Sequence, residues 1–98
     1  MLFFVRFTDN PERLAIRNEF LPAHLAWLEK HQDIVRVAGS LRPEVEAAPI
    51  GAARVVEAKD RKEIESLLKS DPFWAQGLHQ SVQILHWSKA FPKRTVPV

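Results

Sequence analysis

The first residues of the chain alternate. Phe3, Val5 and Phe7 fall on one face of an extended segment, Leu2, Phe4 and Arg6 on the other, which predicts a strand over Leu2 to Phe7 with one fully buried side. Thr8-Asp9-Asn10-Pro11 ends it, and Asp9 or Asn10 is placed to cap a helix with Pro11 in its first turn. From Pro11 to about His31 the period becomes helical. Ile16, Phe20, Leu21, Ala23, Leu25, Trp27 and Leu28 share a wide apolar arc, opposite Glu12, Asn18, Glu19, Ala26, Glu29 and Lys30. Pro22 lies on the polar side and lacks an N–H, which predicts a bend near Asn18 to Leu21 and a helix in two pieces.

Alternation returns at Ile34 to Leu41, followed by a loop from Arg42 to Pro49 and a third strand from Gly51 to Ala58. Arg61 to Lys69 reads as a helix, with Asp60 and Glu63 at capping-box spacing and Ile64, Leu67 and Leu68 as its buried stripe. A short helix begins at Asp71-Pro72 and stops near Gly77. A fourth strand covers Ser81 to Trp87, and an irregular tail starts at about Lys89. The order strand, helix, strand, strand, helix, strand implies an α+β, ferredoxin-like antiparallel sheet with its helices on one face, in a single domain over residues 1–98. If Phe3, Val5, Phe7, Val35 and Val37 face the helices, then Leu2, Phe4, Ile34 and Ala38 are left on a bare second face. Covering that face predicts a homodimer paired sheet to sheet.

Composition narrows the choice of partner. Fourteen basic and twelve acidic residues are dispersed along the chain, leaving a net charge of +2 with no cationic run before Lys93-Arg94, which argues against nucleic acid. The phenylalanines of the first strand have no aromatic counterpart on the third, as an RNA-binding sheet would require. Absence of cysteine removes thiolate chemistry, disulfides and zinc–thiolate sites. No segment approaches the roughly 20 apolar residues of a membrane helix, and the N-terminus lacks a secretory signal pattern, so the expected protein is soluble and cytoplasmic.

The candidate chemistry centres on His24, near the middle of the apolar arc of the first helix. A histidine there is partly desolvated, and a carboxylate bonded to one ring nitrogen would fix its tautomer and leave the other nitrogen free to move a proton. Asp71 is the obvious supplier. Two plainer readings stand beside this one: a satisfied core histidine, and an aspartate that caps the helix beginning at Pro72. His79 and His86 add no local metal-ligand spacing, and neither a metal nor a cofactor is expected.

Pro22-Ala23-His24-Leu25-Ala26-Trp27-Leu28, Val37-Ala38-Gly39, Val55-Val56-Glu57-Ala58, Asp71-Pro72-Phe73 with Gly77-Leu78, Ser81-Val82-Gln83-Ile84 and Trp87 together resemble the YciI-like (YCII-related) family. The resemblance implies a dimeric α+β barrel, related in architecture to muconolactone isomerases, and a site built on His24 and Asp71. It also implies dehydrochlorinase or other lyase-like chemistry on small aromatic or lactone-like compounds. The chain departs from the family pattern at Leu21, where an arginine is common, and at Ser40, where a proline is common. Arg6, Arg17, Ser40 and Trp74 are then the candidates for placing a substrate. The resulting expectation is a small cofactor-independent lyase or isomerase using a His-Asp pair on a cyclic or aromatic metabolite. The alternative is a non-catalytic homodimeric ligand-binding or accessory domain.

Overall fold

The computed structural model describes residues 1–95. Four strands, β1 (Leu2–Asp9), β2 (Val35–Leu41), β3 (Gly51–Glu57) and β4 (His79–His86), form one antiparallel sheet in the order β2-β3-β1-β4. Helices α1 (Ala15–Lys30), α2 (Arg61–Leu68) and α3 (Pro72–Ala75) complete the α+β ferredoxin-like arrangement. Phe3, Val5 and Phe7 stand opposite Val56, Arg54 and Ala52 in the β1–β3 register, so these side chains share the buried face. Ala58, Ile64, Leu68 and Ile84 close the core around them. The expected tail begins after β4, has neither helix nor strand through Thr95, and ends outside the described residues.

Four expectations are corrected. The first helix starts at Ala15, not Pro11, because the Asn10 side chain closes a local turn on the Glu12 N–H (3.0 Å) and its carbonyl accepts from Arg13. Pro22 does not divide that helix, which runs unbroken from Ala15 to Lys30. Leu21 and Leu25, placed in the buried arc, are exposed; the sheet-facing residues that α1 buries are His24 and Trp27.

The fourth correction concerns β2. Val35 pairs with Val56 and Val37 with Val55, a register shift that inserts Arg36 as a bulge. A bulge reverses the parity of every later side chain on its strand. Val37 therefore lies on the outer face with Phe4 and Val55, while Ala38 and Ser40 move to the helix side, the reverse of the alternation expected from sequence.

Two short-range devices fix the segment that carries Asp71. Gly77, at φ 80°, ends α3, with its N–H on the Trp74 carbonyl and the Leu78 N–H on that of Phe73, the paired bonds of a Schellman turn. Upstream, the Asp60 carboxylate accepts from the Glu63 N–H at 2.9 Å and caps α2. Asp60→Ala is expected to lower stability by about 1 kcal/mol in urea unfolding; an unchanged midpoint would mean that the cap contributes nothing.

Candidate functional site

His24 lies on the sheet-facing side of α1 and Asp71 in the turn between α2 and α3, 47 positions away in sequence. The fold brings them together: His24 Nδ1 is 2.8 Å from Asp71 Oδ1. Asp71 is fully buried and also accepts the Phe73 backbone N–H at 3.1 Å, so it caps α3 and binds the histidine with the same carboxylate. Phe73 stacks on the His24 ring with centroids 3.9 Å apart and planes 13° from parallel. Trp27, one turn along α1, donates its indole N–H to Ser70 Oγ at 2.8 Å and ties the helix to the Asp71 turn.

A third polar group completes the cluster. Arg54, on the inward face of β3 and only 4% exposed, hydrogen-bonds Asp71 Oδ2 through Nη2 and lies 4.4 Å from the Phe7 ring centroid and 5.1 Å from that of Trp27. Burial alone would raise the Asp71 pKa; the hydrogen bond from His24 and the charge and hydrogen bond of Arg54 outweigh it and leave the carboxyl below its ordinary value. Arg54 is itself shifted down by burial, against the pull of Asp71.

A second cluster of the same composition lies beside the first. His79 Nδ1 is 2.9 Å from Asp9 Oδ1, and Arg17 Nη2 donates to Asp9 Oδ2 at 2.6 Å. The two are laced through aromatic rings. Phe73, stacked on His24, lies under the Arg17 guanidinium at 5.6 Å, and Phe7, beneath Arg54, has His79 against it at 4.4 Å. They differ in access to solvent. Among the described residues His79 Nε2 is sealed in the interior with no partner, whereas His24 Nε2 makes no hydrogen bond and is not sealed, in a side chain 10% exposed.

The other candidates are scattered. Arg17 reaches the site's edge, one heptad before His24 on α1, with its side chain 16% exposed. Arg6 is exposed on the opposite face of the sheet, paired across to Ala53. Ser40 is exposed near the end of β2, where its Oγ accepts from Arg42 at 2.9 Å. Trp74 is half-buried and turned to the core, with its ring 6.3 Å from that of Phe7. Among the described residues no hydrogen bond or ring contact links the side chains of Arg6, Ser40 or Trp74 to the His24–Asp71 pair. Sequence reasoning missed Arg54, Asp9 and His79 as members of the clusters, and Phe73 as the ring under His24. No group of three or more residues suited to hold a metal occurs among the described residues, nor does a helix long and apolar enough to cross a membrane.

The YCII-related domain matches residues 1–88. Among solved structures, the chain is similar to 5-chloro-2-hydroxyhydroquinone dehydrochlorinase (TftG) from Burkholderia phenoliruptrix AC1100, in complex with 2,5-dihydroxybenzoquinone. The two share 28% identity at a TM-score of 0.80 over 90% of this chain and 94% of that one. A candidate antibiotic biosynthesis monooxygenase from Bacteriodes thetaiotaomicron VPI-5482 shares the fold at 19% identity and a TM-score of 0.58, over 98% and 94% of the two chains. No curated protein matches.

Burial pushes the His79 pKa from 6.5 to about 4, with Arg54 adding to the shift and Asp9 opposing it. Between those values the unfolded chain binds a proton that the folded chain refuses, so this residue makes stability fall as pH drops from about 6.5 to about 4. Urea unfolding at pH 7 and pH 5 is expected to show that loss in the native protein and a smaller one in His79→Gln; equal losses in the two would exclude His79 as its source.

Proposed function

Since the chain belongs to the YCII-related domain family, we propose that it is a small cofactor-independent enzyme of lyase or isomerase type that uses His24 and Asp71 on a cyclic or aromatic metabolite. One observation carries this reading: His24 has one nitrogen held by a carboxylate and the other without a partner and not sealed, in a side chain 10% exposed. The Nδ1–H donates to Asp71, which leaves the Nε2 lone pair as a base with a fixed direction. The likeness to a dehydrochlorinase whose structure holds a dihydroxyquinone supports a hydroxylated ring as the substrate class.

Loss of HCl from a chlorinated trihydroxybenzene needs no redox partner. Nε2 takes a ring O–H proton and returns it to the carbon bearing chlorine, forming a ring ketone. It then takes a second O–H proton as the C–Cl bond breaks and chloride leaves with the bonding pair, yielding a hydroxyquinone. Asp71 stabilises the imidazolium formed at each proton transfer. The space beside Arg54 inside the core is only about 10 Å³, room for a water molecule and not a ring, so substrate meets Nε2 where the edge of the site reaches solvent. Arg17, at that edge, is the cation placed to meet an anionic ring oxygen.

The second part of the proposal is assembly. The outer sheet face carries Leu2, Phe4, Val37 and Val55 half-buried, with Leu85 48% and Trp87 46% exposed, and Phe4 meets Trp87 edge to face at 5.8 Å. We propose that a second copy of the chain covers this face. Light scattering is expected to give a dimer for the native chain and a monomer for Leu85→Glu; a native monomer would contradict the pairing.

Chloride release and quinone absorbance with 5-chloro-2-hydroxyhydroquinone test the chemistry. His24→Gln is expected to lower kcat by about 10²–10⁴-fold, and Asp71→Asn to lower kcat with a smaller effect on KM. Turnover by His24→Gln at the native rate would remove this residue from the mechanism. Binding of 2,5-dihydroxybenzoquinone without turnover of the chlorinated ring would favour a ligand-binding module.

A further inference from the structure

Arg54 is a costly residue at its position. It occupies the inward face of a central strand, opposite Val5, between the faces of Phe7 and Trp27, and its bond to Asp71 is its hydrogen bond among the described residues. An apolar side chain of similar volume would fill such a place without desolvating a charge. The Asp71 cap on α3 does not require it, since that bond runs from Oδ1 to the Phe73 N–H while Arg54 holds Oδ2.

We infer that Arg54 is a positioning residue for the proposed base: its buried charge is what leaves His24 Nε2 without a proton. This rests on the reading of His24 as a base and adds the origin of its protonation state. The argument is a charge count. A cluster removed from water is most stable when neutral overall, because an uncompensated buried charge is strongly disfavoured. With Arg54 in place, guanidinium and carboxylate balance each other. The imidazole is then the neutral member, its single N–H committed to Asp71 and its lone pair on Nε2.

Without the guanidinium, neutrality returns by uptake of one proton. If it settles on Asp71, the carboxylic acid O–H donates to Nδ1 and the ring hydrogen must sit on Nε2. If it settles on the imidazole, both nitrogens carry hydrogen. In both arrangements Nε2 loses its lone pair. The other charged or titratable groups around the cluster do not replace Arg54: Arg17 is bonded to Asp9, and His79, on β4, is held neutral at pH 7 by burial.

The test needs no substrate. Long-range ¹H–¹⁵N spectra of uniformly ¹⁵N-labelled protein at pH 7 distinguish a bare, pyridine-like nitrogen from one bearing hydrogen. In the native chain His24 is expected to show a bare Nε2 and a protonated Nδ1. In Arg54→Gln, which keeps a hydrogen-bond donor and removes the charge, the pyridine-like Nε2 signal is expected to be lost. Arg54→Lys, which restores the charge, is expected to regain it. Arg54→Met, apolar and of similar length, reads the same quantity should Arg54→Gln not fold. A bare Nε2 persisting in a folded Gln or Met variant, or a protonated Nε2 in the native chain, overturns the inference. A spectrum that behaves as expected in a protein without dehydrochlorinase activity would leave this inference standing and count against the proposed reaction alone.

Discussion

A single buried carboxylate organises this fold's candidate chemistry. Asp71 joins three parts of the chain that are remote in sequence: His24 on α1, Arg54 on β3 and the first turn of α3 at Phe73. Taken alone, its burial would favour the neutral acid, a weaker acceptor for all three donors. The ionised form persists because the donors converge on it, and the donors are held in place because it is ionised. Removing one member of such a buried pair typically costs about 3–5 kcal/mol, since the remaining charge is left unpaired.

The same three residue types recur in Arg17, Asp9 and His79, and the comparison shows how access separates two chemically similar groups. Each arginine lies against the aromatic ring that packs on the other cluster's histidine. His79 is enclosed where β1 and β4 meet, with Nε2 left unsatisfied, an arrangement that costs about 1–3 kcal/mol. His24, on the sheet-facing side of α1 and 8% exposed, keeps a ring edge that is not sealed. Under the proposed function the unsealed histidine is the one suited to proton transfer.

Much of this was legible in sequence. The alternation of Phe3, Val5 and Phe7, the capping pair Asp60 and Glu63, and the helical line through His24 each state a local preference that the fold keeps. The pairing of His24 with Asp71 could be framed from sequence as one reading among several, because a tertiary contact leaves no local trace beyond the residue types involved. Arg54 did leave a trace. It shares strand parity with Ala52, Val56 and Ala58, so a charge was written on an apolar face. Asp9 likewise continues the parity of Phe3, Val5 and Phe7, although its turn-forming neighbours pointed to a helix cap. The bulge at Arg36 was not legible, since the register shift is set by pairing with β3 and not by anything in Val35-Arg36-Val37 itself. Nor was the exposure of Leu21 and Leu25, because helical period marks an apolar arc but not how much of it the sheet covers.

The account turns on where hydrogens lie in one small cluster, and neutron diffraction from a deuterium-exchanged crystal near neutral pH locates them directly. It predicts deuterium on His24 Nδ1, directed at Asp71, with none on either Asp71 oxygen and none on Nε2. Deuterium on the Asp71 carboxyl, or on the solvent-facing nitrogen of His24, would contradict it.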